Sequence, residues 1–309
     1  MTHPHTLSRE RVSSVGRALV LAALFVLLEY LLDEAGRRWV LGPLARHGMH
    51  QIMRAGGATP GLSPYFILPF EIITALAATL VTIALATIER RPWTSFGIAG
   101  PHKLLLLGNG LLAGAVGFSL LIGLLAVTGA INLAPSTLSG GAVTKFGLLW
   151  LVAMFMLAVH EEMSGRGYAF LRLSEGVGPV VAAIIMSALF LNAHRANAGE
   201  NVIGLLQVAV AGFLFCFSVW RTGSLWWAIG FHCAFDYVQL FIFGTIGSGV
   251  HFAGSLLTAT PAGPTWLSGG SDGPEGSVLS FFGFAVGAVA LMFVPKGQRP
   301  VPSSQPVHL

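Results

Sequence analysis

Charged residues are scarce in this sequence. Aspartate, glutamate, lysine and arginine together make up 10% of its 309 residues, 54% of the residues are hydrophobic, and the mean hydropathy is +0.75. Soluble domains normally carry about 25% charged residues. No polar block is long enough to form a separate soluble domain. The composition therefore excludes an ordinary soluble protein and favours a single integral-membrane domain over residues 1–309.

Cysteine is almost absent, and positive charge is not concentrated anywhere. The two cysteines, Cys216 and Cys233, both lie inside apolar segments, so we interpret them as reduced, small apolar residues and not as a disulfide or a metal-binding pair. The net charge is +4, but the basic residues are scattered between apolar segments. They are typical of topology signals and lipid-headgroup contacts, and no nucleic-acid partner is predicted.

Long apolar runs fill most of the chain. A membrane-spanning segment must satisfy its own backbone hydrogen bonds, so these runs are predicted to be helices. The predicted spans are residues 17–33, 65–88, 104–128, 146–172, 178–198, 202–220, 223–245 and 278–294. We therefore predict an all-α, polytopic membrane protein with about eight transmembrane helices around an intramembrane polar cavity.

Lysine and arginine positions indicate the orientation, and two connecting segments have unusual compositions. More basic residues fall on the inner side when the amino terminus is inside, which predicts a multi-pass protein of the cell membrane with both termini cytoplasmic. Residues 33–57 mix apolar side chains with arginines, as in a helix that lies in the membrane interface. Residues 246–277 are rich in glycine, serine, threonine and proline, and are predicted to be a loop that could form a flap or a re-entrant segment.

Ionisable residues inside the spans are the informative ones, because each is costly to bury unless it is paired or solvated. Glu162 and Arg166 are four residues apart and can pair on one helix face. Glu161 lies about 100° further around the same helix. This division predicts that Glu161 is a base facing a wet cavity and that Glu162 is structural. The alternative is an ordinary helix end with interfacial charges.

Two further pairs lie on later spans. Phe190 and His194 share one helical stripe, and His232 and Asp236 are again one turn apart. A carboxylate at that spacing fixes the tautomer of an imidazole and raises its basicity. Each pair taken alone could instead be polar packing. Two glutamates, two histidines and an aspartate on three spans are nevertheless the residues that hydrolysis needs, since a carboxylate can deprotonate water and imidazoles can stabilise an oxyanion.

Several familiar motifs are missing. No histidine follows His160 by four residues, so the zinc-protease pattern H-E-x-x-H is not present. The sequence also lacks a Walker P-loop and a set of cysteines spaced for zinc or iron–sulfur clusters. His160 is therefore left outside the predicted site.

The three motifs, in this order, resemble those of the CPBP family, the CAAX-protease and bacteriocin-processing membrane endopeptidases also called the Abi family. Its pattern is E-E-x-x-x-R, then F-x-x-x-H, then H-x-x-x-N or D. Here these motifs are residues 161–166, 190–194 and 232–236. The resemblance implies an intramembrane endopeptidase with a motif-bearing core over residues 146–245. Its substrate would be a membrane-associated protein or peptide, which is lipidated in the best-known cases.

The resemblance also implies roles for the residues. Glu161 would activate water as the general base, with His194 sharing that water, while His232 and Asp236 would stabilise the oxyanion. Three neighbours would support this geometry: Glu162, Arg166 and Phe190. The family is often labelled a metalloprotease. Glu161, His194 and His232 could hold a divalent ion such as Zn²⁺ with an open position, or could act on water directly.

Two further expectations test this interpretation. The motif residues can meet near the membrane midplane only if the fourth helix continues through Arg166. In addition, Glu29 and Glu71 are isolated carboxylates in or near the first two spans. Together with Glu161 they could be the relay groups of a proton-coupled transporter, and the alternative function is therefore a non-proteolytic transporter or scaffold.

Overall fold

The computed structural model describes residues 4–44, 62–197 and 199–297. This part of the chain is mainly helical, as predicted, and the helices of ten residues or more are labelled here in chain order. They are α1 (Pro4–Gly36), α2 (Pro64–Ile88), α3 (Lys103–Val127), α4 (Gly141–Glu162), α5 (Tyr168–Val177), α6 (Pro179–His194), α7 (Val202–Thr222), α8 (Trp226–Tyr237) and α9 (Ser280–Met292). Shorter helical turns occupy Arg37–Leu41, Gly42–Leu44, Trp93–Ser95, Met163–Gly167, Val238–Phe243, Thr265–Ser268 and Pro274–Gly276.

Five helical stretches in the described residues are long and apolar enough to cross a membrane. They are Val12–Leu41, Pro64–Ile88, Lys103–Val127, Gly141–Val177 and Val202–Thr222. The predicted number of eight is not confirmed, because three predicted spans form shorter helices. At 1.5 Å per residue, α6 and α9 are about 24 and 20 Å long, less than the ~30 Å of a bilayer core. Helix α8 is extended only by the π-helical turn Val238–Phe243.

The fourth helix continues past Glu161, which confirms the expectation from the sequence. Helical backbone runs over Gly141–Val177, 37 residues that include the π-helical turn Met163–Gly167. A straight helix of that length would measure about 55 Å, well beyond the bilayer core. Gly167 has φ −80° and ψ −118°, which leaves the helical region and separates α4 from α5.

Glycines bring α3 into very close contact with α8 and α9. A Cβ atom added to Gly110 would lie 2.3 Å from the carbonyl oxygen of Trp227, and one added to Gly114 would lie 2.2 Å from that of Phe231. One added to Gly117 would lie 2.8 Å from the oxygen of Gly283. Small residues at this spacing let helix backbones approach in a membrane protein. The contact places α8, which carries the last motif, in the centre of the molecule.

One connecting segment differs from its predicted structure, and another is described only in part. Residues 246–277 are not only loop, because Leu257–Pro261 forms strand β2, paired antiparallel with β1 (Ile131–Pro135). Each strand has only five residues, and neither shows an alternation of apolar and polar residues long enough to predict a strand from the sequence. In the first loop, the described residues continue α1 as helical turns up to Leu44. The rest of the predicted interfacial helix lies outside the described residues.

Candidate active site

The three motifs meet at a cavity of about 350 Å³ between α4, α6, α7 and α8. Residues 244–277, called the strap here, close one side of it. The polar side chains on its wall are Glu161, His194, Asn197, Gln207, His232, Asp236, Gln239, Ser248 and Glu275. Its aromatic side chains are Phe190, Phe215, Phe231, Phe235, Phe252 and Phe284. Every predicted site residue except Glu162 and Arg166 therefore lines the cavity, and these two are buried behind it.

A buried ion pair supports the cavity wall. Glu162 Oε1 accepts a hydrogen bond of 3.2 Å from Arg166 Nη1, so the predicted pair one turn apart is formed. Both side chains are essentially inaccessible, with 0% and 1% of their surface exposed. The Arg166 guanidinium lies 4.2 Å from the ring centre of Phe190 and 5.3 Å from that of Phe215. These contacts join α4, α6 and α7 behind the motifs.

His232 is held by Glu162, which differs from the prediction that Asp236 would orient it. The Nδ1 atom of His232 lies 2.9 Å from Glu162 Oε1, and an ionised carboxylate can only accept, so Nδ1 carries the proton of that bond. The opposite atom, Nε2, lies 3.4 Å from Asp236 Oδ2 and 3.7 Å from Glu161 Oε2. Three carboxylates thus surround one imidazole, and its Nε2 faces the two that line the cavity.

Glu161 and His194 each keep an unused acceptor. Glu161 Oε2 is buried and has no hydrogen-bond partner among the described residues. His194 Nδ1 lies 2.9 Å from the carbonyl oxygen of Phe190. Because a carbonyl can only accept, Nδ1 carries the proton, and the Nε2 atom of the neutral ring is free to accept another. The Phe190 ring packs 4.5 Å from the His194 ring, centre to centre, and so fixes its position.

The sequence predicts three possible zinc ligands and, as an alternative, a direct action of the same residues on water. Glu161, His194 and His232 line the same cavity. In the described ranges, however, no three His, Cys, Asp or Glu side chains are placed to hold a metal ion. The two cysteines of the chain are free and buried, as expected.

A second polar cluster lies on another side of α4, away from the cavity. His160 Nδ1 is 3.0 Å from Glu71 Oε2, and the Ser164 hydroxyl donates to Glu29. Thr74 also donates to Glu71, at 3.3 Å. The sequence suggested that Glu29 and Glu71 are isolated, but in the structure both have hydrogen-bond partners. His160 likewise has a carboxylate partner that the sequence spacing did not reveal. These five residues are called the second cluster below.

Several cavity residues were missed by the sequence analysis. Gln207 and Gln239 are polar residues inside predicted spans, which was a usable signal. Phe215, which stacks on His232 at 5.5 Å between ring centres, looks like any other apolar residue of its helix. Ser248 and Glu275 come from the strap, where no periodic pattern marks them.

The strap is tied to α7 by Asn201. The Asn201 side chain caps the helix by accepting from the backbone N–H of Ile203 and Gly204, and it donates to the carbonyl oxygens of Gly269 and Gly276. Its backbone N–H donates to Asp272 at 3.1 Å. This network holds the strap against the start of α7.

Negative charge accumulates near these ties. Burial raises the pKa of Asp272 to about 7; the bond from Asn201 opposes this rise, and the charges of Glu200 and Glu275 add to it. Burial, followed by the charge of Glu275, also raises the pKa of Glu200. Two carboxylates of the strap, Asp272 and Glu275, and the neighbouring Glu200 therefore repel one another, and Glu275 is the one of the three that lines the cavity.

One comparison with known proteins gives a match. Residues 143–238 match the family model described as "Type II CAAX prenyl endopeptidase Rce1-like". The match covers less than a third of the chain and includes all three motifs. No curated protein and no solved structure matches the chain. The resemblance inferred from the motifs is thus confirmed, and together with the apolar helices it supports a multi-pass membrane protein.

Proposed function

Because residues 143–238 form an Rce1-like domain of the CAAX-protease family, we propose that the protein is an intramembrane endopeptidase. It hydrolyses a peptide bond of a membrane-associated protein or peptide. The observation that carries the proposal is the meeting of Glu161, His194, His232 and Asp236 at one cavity between helices. A cavity of about 350 Å³ has the size of a small-molecule or peptide-side-chain site.

In the proposed reaction Glu161 is the general base. Its carboxylate lines the cavity and accepts a proton from a water molecule, and the oxygen of that water attacks the carbonyl carbon of the scissile bond. His194 supports the attack, since its Nε2 is free to accept the second hydrogen of the same water. In this proposal the two proton acceptors for the attacking water are the side chains of Glu161 and His194.

His232 and Asp236 then stabilise the negative oxygen of the tetrahedral intermediate. Glu162 holds Nδ1–H of His232, which directs Nε2 toward the cavity-lining carboxylates. With a proton on Nε2, the ring, whose side chain is 13% exposed, donates to the oxyanion in a largely buried site, where such a donor is most effective. Asp236 donates a second hydrogen bond when it is protonated. The intermediate collapses when the amine leaves with the proton that Glu161 had taken.

The proposal also covers the class of substrate and the orientation of the protein in the membrane. The name of the matched family refers to prenyl substrates, and six aromatic side chains on the cavity wall are compatible with an apolar group bound nearby. We propose a membrane-associated substrate, lipidated or not, and both termini on the cytoplasmic side. No comparison favours the alternative of a transporter or scaffold.

The decisive experiment removes the general base. The purified full-length protein in phospholipid vesicles is incubated with a peptide library, and cleavage products are identified by mass spectrometry. We expect Glu161→Ala to lower the cleavage rate by about 10²- to 10⁴-fold while the protein stays folded. Glu29→Gln, a carboxylate of the second cluster, is the matched control and should retain cleavage. A Glu161→Ala protein that cleaves at the wild-type rate would disprove the assignment.

A further inference from the structure

Acidic side chains outnumber basic ones on the cavity wall. Glu161, Asp236 and Glu275 all line it, whereas no lysine or arginine is among the described residues that do so. Of the two histidines on the wall, His232 already faces three carboxylates, and His194 is bonded to a carbonyl oxygen. A wall with this composition attracts a cationic group and repels an anionic one.

Glu275 is fixed in place as a rigid acceptor. Its Oε2 accepts hydrogen bonds from Gln239 Nε2 at 2.9 Å, from the Ser248 backbone N–H at 2.7 Å and from the Ser248 hydroxyl at 3.2 Å. Its Oε1 has no such bond to a described residue. Gln239 follows Asp236 by three residues, so Glu275 is held about one helical turn from the proposed oxyanion site. A carboxylate held by one oxygen leaves the other available to a ligand.

Gln207 independently indicates that the ligand brings hydrogen-bond donors. Its side chain is 2% exposed and lines the same cavity, and its Oε1 is buried without a partner. A buried amide oxygen normally finds a partner, so an unpaired one on a cavity wall indicates a ligand with an N–H group. Gln207 lies less than two turns from Asn201, whose side chain bonds to Gly276, the neighbour of Glu275.

We propose that Glu275 binds a lysine or arginine side chain of the substrate peptide, close to the bond that is cleaved, and that Gln207 accepts a further hydrogen bond from the substrate. The proposal rests on the proposed endopeptidase function and adds its substrate preference. The long aliphatic stem of a basic side chain packs on the aromatic wall, near Phe252, while its charged end reaches the carboxylate. The site thus selects peptides with a basic residue near the cleavage point.

The test compares matched peptides. A sequence cleaved by the wild-type protein in vesicles is synthesised in N-acetylated form with lysine, glutamine or glutamate at the position where basic residues are enriched. We expect the lysine peptide to exceed the glutamine peptide about tenfold in kcat/KM. Glu275→Gln should reduce that ratio to near one. Glu275→Lys should reverse the preference in favour of the glutamate peptide, a result that a merely structural role of Glu275 would not produce.

Control variants separate the outcomes. Glu200→Gln removes a nearby charge that does not line the cavity, so it should leave the lysine preference unchanged. A lysine preference that persists in Glu275→Gln, or no enrichment of basic residues, would overturn the subsite while leaving the protease assignment intact. A preference for the unacetylated peptide that depends on Glu275 would assign the cation to the amino terminus and overturn the side-chain proposal. Failure of the protease assignment is distinct, since cleavage would then not depend on Glu161.

Discussion

Adjacent residues of α4 belong to two polar clusters of different character. On one side, Glu161 and Glu162 face His232, and Glu161 keeps a buried oxygen without a partner. On another side, His160 is bonded to Glu71, and Ser164 is bonded to Glu29. Both clusters contain carboxylates and a histidine, but of the two only the first contributes residues to the wall of the cavity described above. An unused acceptor beside a cavity, and not the residue types, therefore distinguishes the proposed catalytic cluster from the second cluster.

Helix geometry explains how neighbours can be divided in this way. Successive residues point about 100° apart, so His160, Glu161 and Glu162 face three different surroundings. His160 contacts α2, Glu161 lines the cavity, and Glu162 contacts α8. Burying three adjacent ionisable residues costs less free energy here, because each one either has a bonded partner or faces the cavity.

The largest expected effect is on stability and concerns Glu162. Glu162→Gln removes the charge that lies between Arg166 and His232, and leaves a guanidinium that is 1% exposed without a counter-charge. We expect the free energy of unfolding to fall by about 3–5 kcal/mol. Glu71→Gln, in the second cluster, should lower it by only about 1 kcal/mol, because the amide oxygen still accepts from His160. Reversible unfolding in mixed micelles measures both, and equal losses would remove the distinction between the clusters.

The next effect concerns the two histidines. His232→Gln should lower kcat by about 10²- to 10³-fold, because the proposed oxyanion loses its ring donor. His160→Gln should leave kcat close to the wild-type value, since His160 does not line the cavity. Steady-state cleavage of one library-derived peptide by both variants and the wild type checks this. A comparable fall in kcat for His160→Gln would show that the second cluster takes part in catalysis.

The pairs one turn apart could be predicted, because they depend only on the period of the helix. Glu162–Arg166 and His232–Asp236 both meet as their spacing indicated. The partner of His232 Nδ1 could not be predicted, because it depends on how α4 and α8 pack. That packing is governed by contacts distant in sequence, such as the approach of α3 to α8 at Gly114.

The strap and the short helices limited the prediction for other physical reasons. Glu275 reaches Gln239 across 36 residues of loop and strand, and no periodicity links such positions. Hydropathy identified apolar runs correctly, but it cannot tell a full span from the shorter helices α6 and α9. Their ends are determined by Gly178, with φ +87°, and by the strap that precedes α9. The helical residues of the cavity wall could therefore be predicted from their spacing in the sequence, whereas the strap residues have no regular spacing that would predict them.

The smallest expected effect is that of metal removal. Chelation of the purified protein with EDTA or 1,10-phenanthroline should leave cleavage unchanged, because the described residues contain no group of three ligands placed around a metal ion. A zinc peptidase treated in parallel is the positive control. The physical reason lies in His232: its Nδ1 is bonded to Glu162, and its Nε2, 3.4 Å from Asp236 Oδ2 and 3.7 Å from Glu161 Oε2, cannot carry the proton that the proposed oxyanion needs and also present a lone pair to a metal. Activity lost on chelation and restored by zinc would mean that His232 turns away from these carboxylates, and the difference between the two clusters would then lie in a metal ion rather than in an unused acceptor.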